Sequence, residues 1–140
     1  MIVIDTNVVS ELMRARPDPA ALAWFAGHSA EVLFLTAISE AELRTGAAIL
    51  PAGQRRDRLQ LTIEAMIDQD FQGRVLPFDS SAARSYAEIA AARRANGKPI
   101  MEADCQIAAI AYACGAAIAT RNVNDFDGCG INVINPWNAV

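Results

Sequence analysis

Short apolar segments alternate with helical segments along the chain, and this alternation restricts the fold more than any other feature of the sequence. Ile2–Asp5 is an apolar run that ends in an acid, which is typical of a strand buried on both faces. Further strands are predicted at Val32–Thr36, Val75–Phe78, Ala116–Thr120 and, at the sheet edge, Ile131–Ile134. Helices are predicted at Val8–Arg14, from Pro19 to about Gly27, and at Ser39–Leu50, Gln54–Phe71, Ser80–Asn96 and Met101–Cys114.

Strands that are separated by helices pair in parallel through right-handed crossovers. The sequence therefore predicts a three-layer α/β fold, with a central, mostly parallel sheet of four to five strands flanked by helices. A chain of 140 residues is expected to form one domain over residues 1–140. In such sheets the ligand site lies beyond the carboxyl ends of the strands, so functional residues are expected just after Asp5, Thr36, Phe78 and Thr120.

The composition excludes several classes of protein. With 53% hydrophobic and 20% charged residues the chain is not intrinsically disordered, and a net charge of −4 excludes a surface that is basic throughout. The cysteines at positions 105, 114 and 129 form neither a zinc-type CxxC pair nor an even set for disulfides, which favours a reduced, cytoplasmic compartment. The longest uncharged stretch, residues 105–120, is shorter than the ~20 apolar residues of a membrane span, so no membrane association is expected.

Two aspartates stand where an acid is energetically costly. Asp5 ends an apolar strand, and it either caps the following helix or belongs to a functional site. Asp104 shares one face of its predicted helix with Ile107, where a carboxylate needs a partner, a proton or a metal ion. An ion pair with Lys98 or Arg121, or the positive end of the helix dipole, provides a structural alternative.

Two further acids gain significance from their positions. Glu42 follows Ser39 at the spacing of a capping box, and Asp125 taken alone is a loop residue. However, Asp5 and Asp125 both follow strands, and Glu42 and Asp104 stand in the first turns of helices that can begin at the same sheet edge. Two carboxylates ~4 Å apart repel by about 4 kcal/mol at an effective dielectric constant of ~20, so such a cluster must hold protons or cations. Oxygen donors without a histidine or thiol group match Mg²⁺ or Mn²⁺.

Four motifs occur in a fixed order, and the pattern extends to Asn135–Trp137. They are Met1–Asn7 (MIVIDTN), Ser39–Leu43 (SEAEL), Ala103–Ala111 (ADCQIAAIA) and Thr120–Phe126 (TRNVNDF). In this order they resemble the PIN-domain ribonucleases, and more narrowly the VapC/FitB-type toxins of type II toxin–antitoxin systems. The resemblance implies a PIN-like fold and endonucleolytic RNA cleavage that depends on Mg²⁺ or Mn²⁺.

The resemblance also implies roles for single residues. The implied catalytic acids and metal ligands are Asp5, Asp104, Glu42 and Asp125, the last acting directly or through water. Thr6, Asn7 and Thr120 are implied to orient these carboxylates, and Asn122, where some relatives carry an acid, is grouped with them. Arg121 lies next to the strand end and is the expected contact to a substrate phosphate.

The implied partners are an RNA substrate, a second copy of the chain in a homodimer, and a small antitoxin that blocks the site. Contact with DNA is expected only through the antitoxin. Two other functions remain open. One is a PIN-like module that binds RNA or protein without cutting. The other is a phosphatase of the haloacid-dehalogenase kind, which usually has a second acid two residues after its nucleophile, where this chain has Asn7.

Overall fold

The structure, a computed structural model, describes residues 1–138, and the predicted alternation of strands and helices is confirmed there. The strands are β1 (Ile2–Ile4), β2 (Leu33–Thr36), β3 (Val75–Leu76), β4 (Ala117–Ala119) and β5 (Val133–Ile134). The helices are α1 (Thr6–Leu12), α2 (Pro19–Ala26), α3 (Ala37–Ala48), α4 (Gln54–Ala65), α5 (Ser80–Ala95) and α6 (Glu102–Ala113). The single domain over residues 1–140 stays a prediction, and its last two residues lie outside the described ones.

The sheet is parallel throughout, in the order β3-β2-β1-β4-β5. The chain starts at the central strand, adds β2 and β3 on one side, and then returns to add β4 and β5 on the other. Ile2 of β1 therefore pairs with Leu33 of β2 and with Ala117 of β4. The strand order reverses at β1, and the crevice expected at such a reversal lies beyond its carboxyl end. The predicted three-layer α/β fold is confirmed.

Buried apolar side chains cover both faces of the sheet. Val3 and Ile118 belong to one cluster with Ile107 of α6, and Ile4 belongs to a second cluster with Val8 of α1. Successive residues of β1 thus contribute to opposite layers, as the two-residue repeat of a strand requires. No helix among residues 1–138 is long and apolar enough to cross a bilayer.

The starts of two helices differ from the prediction because side-chain caps place them earlier. Helix α1 begins at Thr6 rather than Val8, since the Asp5 carboxylate accepts the Thr6 N–H at 2.8 Å. Helix α3 begins at Ala37 rather than Ser39, since Thr36 Oγ1 accepts the Ser39 N–H at 3.0 Å. The predicted capping box between Ser39 and Glu42 is therefore wrong, and both residues lie inside the helix.

Other boundaries shift by a few residues. Val32 belongs to a 3₁₀ turn before β2, and β3 ends before Pro77, which has no N–H to donate to a sheet. The predicted helix over Gln54–Phe71 is α4 followed by a π-helical turn at Met66–Asp70. The edge strand is confirmed, although β5 covers only the last two of the four predicted residues.

Candidate active site

Four acids from separate parts of the chain surround the carboxyl end of β1. Asp5 directly follows β1, Glu42 lies on α3, Asp104 lies in the first turn of α6, and Asp125 lies in a 3₁₀ turn after β4. A cavity of about 500 Å³ opens here, lined by Asp5, Thr6, Asn7, Ser10, Glu11, Arg14, Glu42, Asp104 and Asn122. Asp125 is not part of this lining, but its charge raises the pKa of both Asp5 and Asp104.

Asp5 is held by hydrogen bonds on both carboxylate oxygens. Oδ1 accepts the Thr6 N–H at 2.8 Å, and Oδ2 accepts the Thr120 hydroxyl at 2.8 Å and the Asn7 amide at 3.2 Å. Asp5 is only 5% exposed, and this burial raises its pKa, whereas the bonds from Thr120 and Thr6 lower it. The charges of Glu42 and Asp125 raise the pKa further. Asp5 therefore both caps α1 and lines the cavity.

Glu42 is connected to Asp5 through Thr6. Thr6 Oγ1 lies 2.8 Å from Glu42 Oε1 and 2.9 Å from Ser39 Oγ. Because the hydroxyl has one proton and the carboxylate only accepts, Thr6 donates to Glu42 and accepts from Ser39. Ser39 is fully buried, and its participation was missed because its spacing to Glu42 indicated a cap.

Asp104 is a half-buried acid without a side-chain partner among residues 1–138. Within residues 1–138 its carboxylate makes no hydrogen bond and no ion pair, so the predicted alternatives with Lys98 and Arg121 are wrong. Lys98 instead lies 3.9 Å from Asp127, and Arg121 stacks on Trp137. Burial raises the pKa of Asp104 to about 6, with further increases from Asp5, Asp125 and Glu42 and a decrease from Arg93.

The segment after β4 supplies polar contacts to the same site. Thr120 Oγ1 accepts the Asn122 N–H at 3.1 Å and the Asn7 amide at 3.2 Å, and Asn7 Oδ1 accepts the Arg121 N–H at 3.2 Å. The exposed Arg121 guanidinium lies over the Trp137 ring, 5.0 Å from its centroid. These contacts bring together the residues expected to orient the carboxylates. The role of Arg121 as a phosphate contact stays a prediction.

Helix N-termini partly offset the repulsion among the acids. Helices α1, α3 and α6 all begin beside the site, at Thr6, Ala37 and Glu102, and the N-terminus of a helix carries partial positive charge. Asp104 lies in the first turn of α6 and Asp5 caps α1, so both benefit from this effect. The dipole alternative for Asp104 therefore operates, yet its pKa is still raised.

The donor set of the site matches a hard divalent cation. Its acidic groups offer only oxygen atoms, and the charges of neighbouring carboxylates raise the pKa of Asp5 and of Asp104, as expected for groups that gain from a nearby cation. In the described part of the chain, however, no three acid, histidine or cysteine side chains already form a complete ligand set. Neither the Asp104 nor the Asp125 carboxylate is held by a hydrogen bond or an ion pair among residues 1–138, whereas Asp5 is held on both oxygens.

The sequence also failed to indicate Glu11 and Arg14 as a pair in the cavity wall. Glu11 is buried, and its carboxylate accepts the Asp18 N–H at 3.0 Å and contacts Arg14 Nη1 at 3.3 Å. Their three-residue spacing, with Glu11 in the last turn of α1 and Arg14 just after the helix, is the only signal that predicts the contact. A second cavity of about 490 Å³ lies on another face of α1, but its lining is mostly apolar and contains none of the four acids.

Comparison with known proteins identifies the family. The PIN-domain family model matches residues 2–128, so the chain belongs to the PIN-domain family. It is 50% identical over 137 residues to a VapC ribonuclease of Sinorhizobium fredii, covering 98% of each chain. It is 40% identical over 137 residues to toxin FitB of Neisseria gonorrhoeae, covering 98% of this chain and 99% of that one.

A solved structure shows the same fold. The crystal structure of FitAcB from Neisseria gonorrhoeae matches with a TM-score of 0.94 at 40% identity, covering 99% of this chain and 100% of that one. The resemblance to VapC/FitB-type toxins of toxin–antitoxin systems, inferred from the four motifs, is thereby confirmed.

Proposed function

We propose that this chain is an endoribonuclease that depends on Mg²⁺ or Mn²⁺ and serves as the toxin of a toxin–antitoxin pair. The observation that carries the proposal is Asp104, a half-buried carboxylate that lies beside three other acids and has no hydrogen-bond or ion-pair partner in the described part of the chain. A folded protein gains nothing in stability from such a group. A carboxylate of this kind beside other acids is typical of a site that binds a cation.

Asp5 and Asp104 are the proposed principal ligands, Glu42 completes the acidic site, and Asp125 acts directly or through water. When bound, the ion supplies an activated water and neutralises charge on the phosphoryl oxygens. The protein orients the carboxylate of Asp5. Thr120 and Asn7 hold Asp5 Oδ2 and Thr6 N–H holds Oδ1, which fixes that carboxylate before substrate arrives.

Positive side chains near the cavity are suited to the approach of RNA. Arg14 lines the cavity and Arg121 follows the strand end, and we propose Arg121 as the contact to a substrate phosphate. The acids repel phosphate until a cation offsets their charge, which makes binding of metal and RNA interdependent.

The geometry of the site bears on the two alternative functions. A PIN-like module that binds without cutting is favoured by the lack of a complete ligand set among residues 1–138. A haloacid-dehalogenase-type phosphatase is disfavoured, because both Asp5 oxygens accept hydrogen bonds and Asn7 donates to Asp5 instead of providing a second acid.

Purified chain is expected to cut labelled single-stranded or structured RNA internally with Mn²⁺ or Mg²⁺ and to leave it intact in EDTA. Gel analysis of the fragments measures this. Asp104→Asn is expected to be inactive. Asp127→Asn, an exposed acid on the same loop as Asp125, is the matched control and is expected to cut like the parent. RNA binding without cleavage supports the non-cutting module, and turnover of a phosphomonoester without RNA cleavage supports the phosphatase.

We also propose the partners that accompany this activity. They are an antitoxin that covers the acidic cavity, a second copy of the chain in a homodimer, and DNA only through the antitoxin, since the chain itself has a net charge of −4. Intracellular RNA as substrate agrees with the expected cytoplasmic location, as do the free thiols of Cys105, Cys114 and Cys129.

Induced expression of the chain in a bacterial host is expected to arrest growth, because uncontrolled RNA cleavage stops protein synthesis. Co-expression of the proposed antitoxin is expected to restore growth. Colony counts and the mass of the purified complex measure both effects. Arrest that persists with Asp104→Asn would contradict the proposal, since toxicity would then not require the site.

A further inference from the structure

Arg93, in the last turn of α5, is a buried base without an acidic partner. It is 7% exposed and is the only buried basic residue within residues 1–138. No carboxylate lies within ion-pair distance of it in that range. Burying an unpaired guanidinium costs free energy unless hydrogen bonds satisfy it, so its contacts need an explanation.

The guanidinium donates to backbone carbonyls, most of them in one loop. Nε donates to the Lys98 carbonyl at 2.7 Å, and Nη1 donates to the carbonyls of Asp125 and Asp127 at 2.8 and 2.9 Å. Nη1 also contacts Cys129 Sγ at 3.6 Å. Arg93 thus connects the end of α5 to the segment that carries Asp125.

That segment is held by its own 3₁₀ turn as well as by Arg93: the Asp125 N–H donates to the Asn122 carbonyl at 3.0 Å, and the Asp127 N–H donates to the Asn124 carbonyl at 3.3 Å. Residues 120–132 join β4 to β5 without an α-helix, and only Phe126 and Cys129 are buried within the loop after Thr120. Asp125 is exposed, and its carboxylate makes no hydrogen bond among the described residues. The position of this carboxylate is therefore set by its backbone, and Arg93 is the side chain that ties this backbone to α5.

We propose that Arg93 is a positioning residue for the acidic site, which holds the loop so that the Asp125 carboxylate stays beside Asp5 and Asp104. This inference rests on the proposed function and extends it to a residue outside the cavity wall. It assigns Arg93 an action through Asp125, which distinguishes it from a residue that only stabilises the fold.

The test compares Arg93→Lys with the parent chain, and with Arg94→Met as the matched control. Lysine keeps the charge but lacks the planar fork that reaches carbonyls on two segments, whereas Arg94 is exposed and adjacent on the same helix. Arg93→Lys is expected to lower Mn²⁺-dependent RNA cleavage about 10- to 100-fold, the scale of a misplaced catalytic group, and Arg94→Met to leave it unchanged.

Repeating the comparison in an Asp125→Asn background separates positioning from stability. If Arg93 acts through Asp125, Arg93→Lys causes less than about a twofold further loss there, because coupled residues are not additive. Calorimetry with Mn²⁺ alone makes the same comparison without RNA cleavage. We expect Arg93→Lys to weaken Mn²⁺ binding in the parent background and to leave it unchanged in the Asp125→Asn background.

Three outcomes overturn the inference. They are full activity of Arg93→Lys, an equal loss in both backgrounds, and unfolding of both Arg93→Lys and Arg93→Gln, which would show that the guanidinium supports the whole fold. A parent chain that cuts no RNA overturns the proposed function instead. The Mn²⁺ calorimetry then still decides whether Arg93 acts through Asp125.

Discussion

Replacement of Asp104 by asparagine is expected to abolish RNA cleavage and, at the same time, to stabilise the metal-free chain. The activity is lost because the proposed ion loses a principal ligand. The stability rises because burial and neighbouring acids raise the pKa of Asp104 from 3.8 to about 6, so its charged form is unfavourable in the folded state. After a discount for partial exposure, the expected gain in the free energy of unfolding at pH 7.5 is about 1 kcal/mol.

The gain in the free energy of unfolding of Asp104→Asn is expected to be largest at neutral pH and to decrease in acid. A carboxyl whose pKa is raised by folding destabilises the folded state when it is charged. This cost is complete above the folded pKa of about 6 and is absent below the unfolded value of 3.8. The difference between Asp104→Asn and the parent should therefore shrink as the pH falls from 7.5 to about 4. Urea denaturation in EDTA across this range measures it.

Asp5→Asn provides the contrasting variant. It should also abolish cleavage, but the asparagine NH₂ would face a donor in either orientation. It would face the Thr6 N–H at the position of Oδ1, or the Asn7 amide at the position of Oδ2. An unsatisfied buried donor costs about 1–3 kcal/mol, so this variant should be less stable than the parent.

A loss of stability in Asp104→Asn at pH 7.5 would identify Asp104 as a structural acid and contradict the proposed site.

Addition of Mn²⁺ is expected to raise the melting temperature of the parent chain and to have little effect on Asp104→Asn. An ion at 100 times its dissociation constant adds about 2.7 kcal/mol to the free energy of unfolding. For a chain of 140 residues this corresponds to a shift of roughly 10 °C. Differential scanning fluorimetry with increasing Mn²⁺ measures the shift.

The control for this experiment is Asp127, an acid outside the site. Asp127→Asn should show the full shift, because Asp127 pairs with Lys98 and does not line the cavity. Equal shifts in the parent chain and in Asp104→Asn would mean that Mn²⁺ binds elsewhere. The absence of any shift in the parent chain would contradict the proposed metal site.

The periodicity of apolar residues in the sequence was sufficient to predict the fold, because each strand and each helix is specified by its local sequence. The apolar run before Asp5 predicted a strand buried on both faces, and Ile4 and Val3 belong to different core clusters. Helical spacing placed Asp104 on the apolar face of α6, where it is half-buried in the structure. The resemblance of four motifs added the family, which the comparisons confirmed. The catalytic and metal-binding roles of the acids remain predictions.

The sequence by itself determined the order of strands and helices and the positions of the acids, because both follow from spacing along the chain. Only the tertiary structure decided which side chains hold those acids. Thr36 rather than Ser39 caps α3, Thr120 donates to Asp5 across a separation of 115 residues, and Arg93 binds carbonyls near Asp125. Such contacts depend on strand register and on the direction of each side chain. Both are set by packing between distant segments, and no local pattern in the sequence reports them.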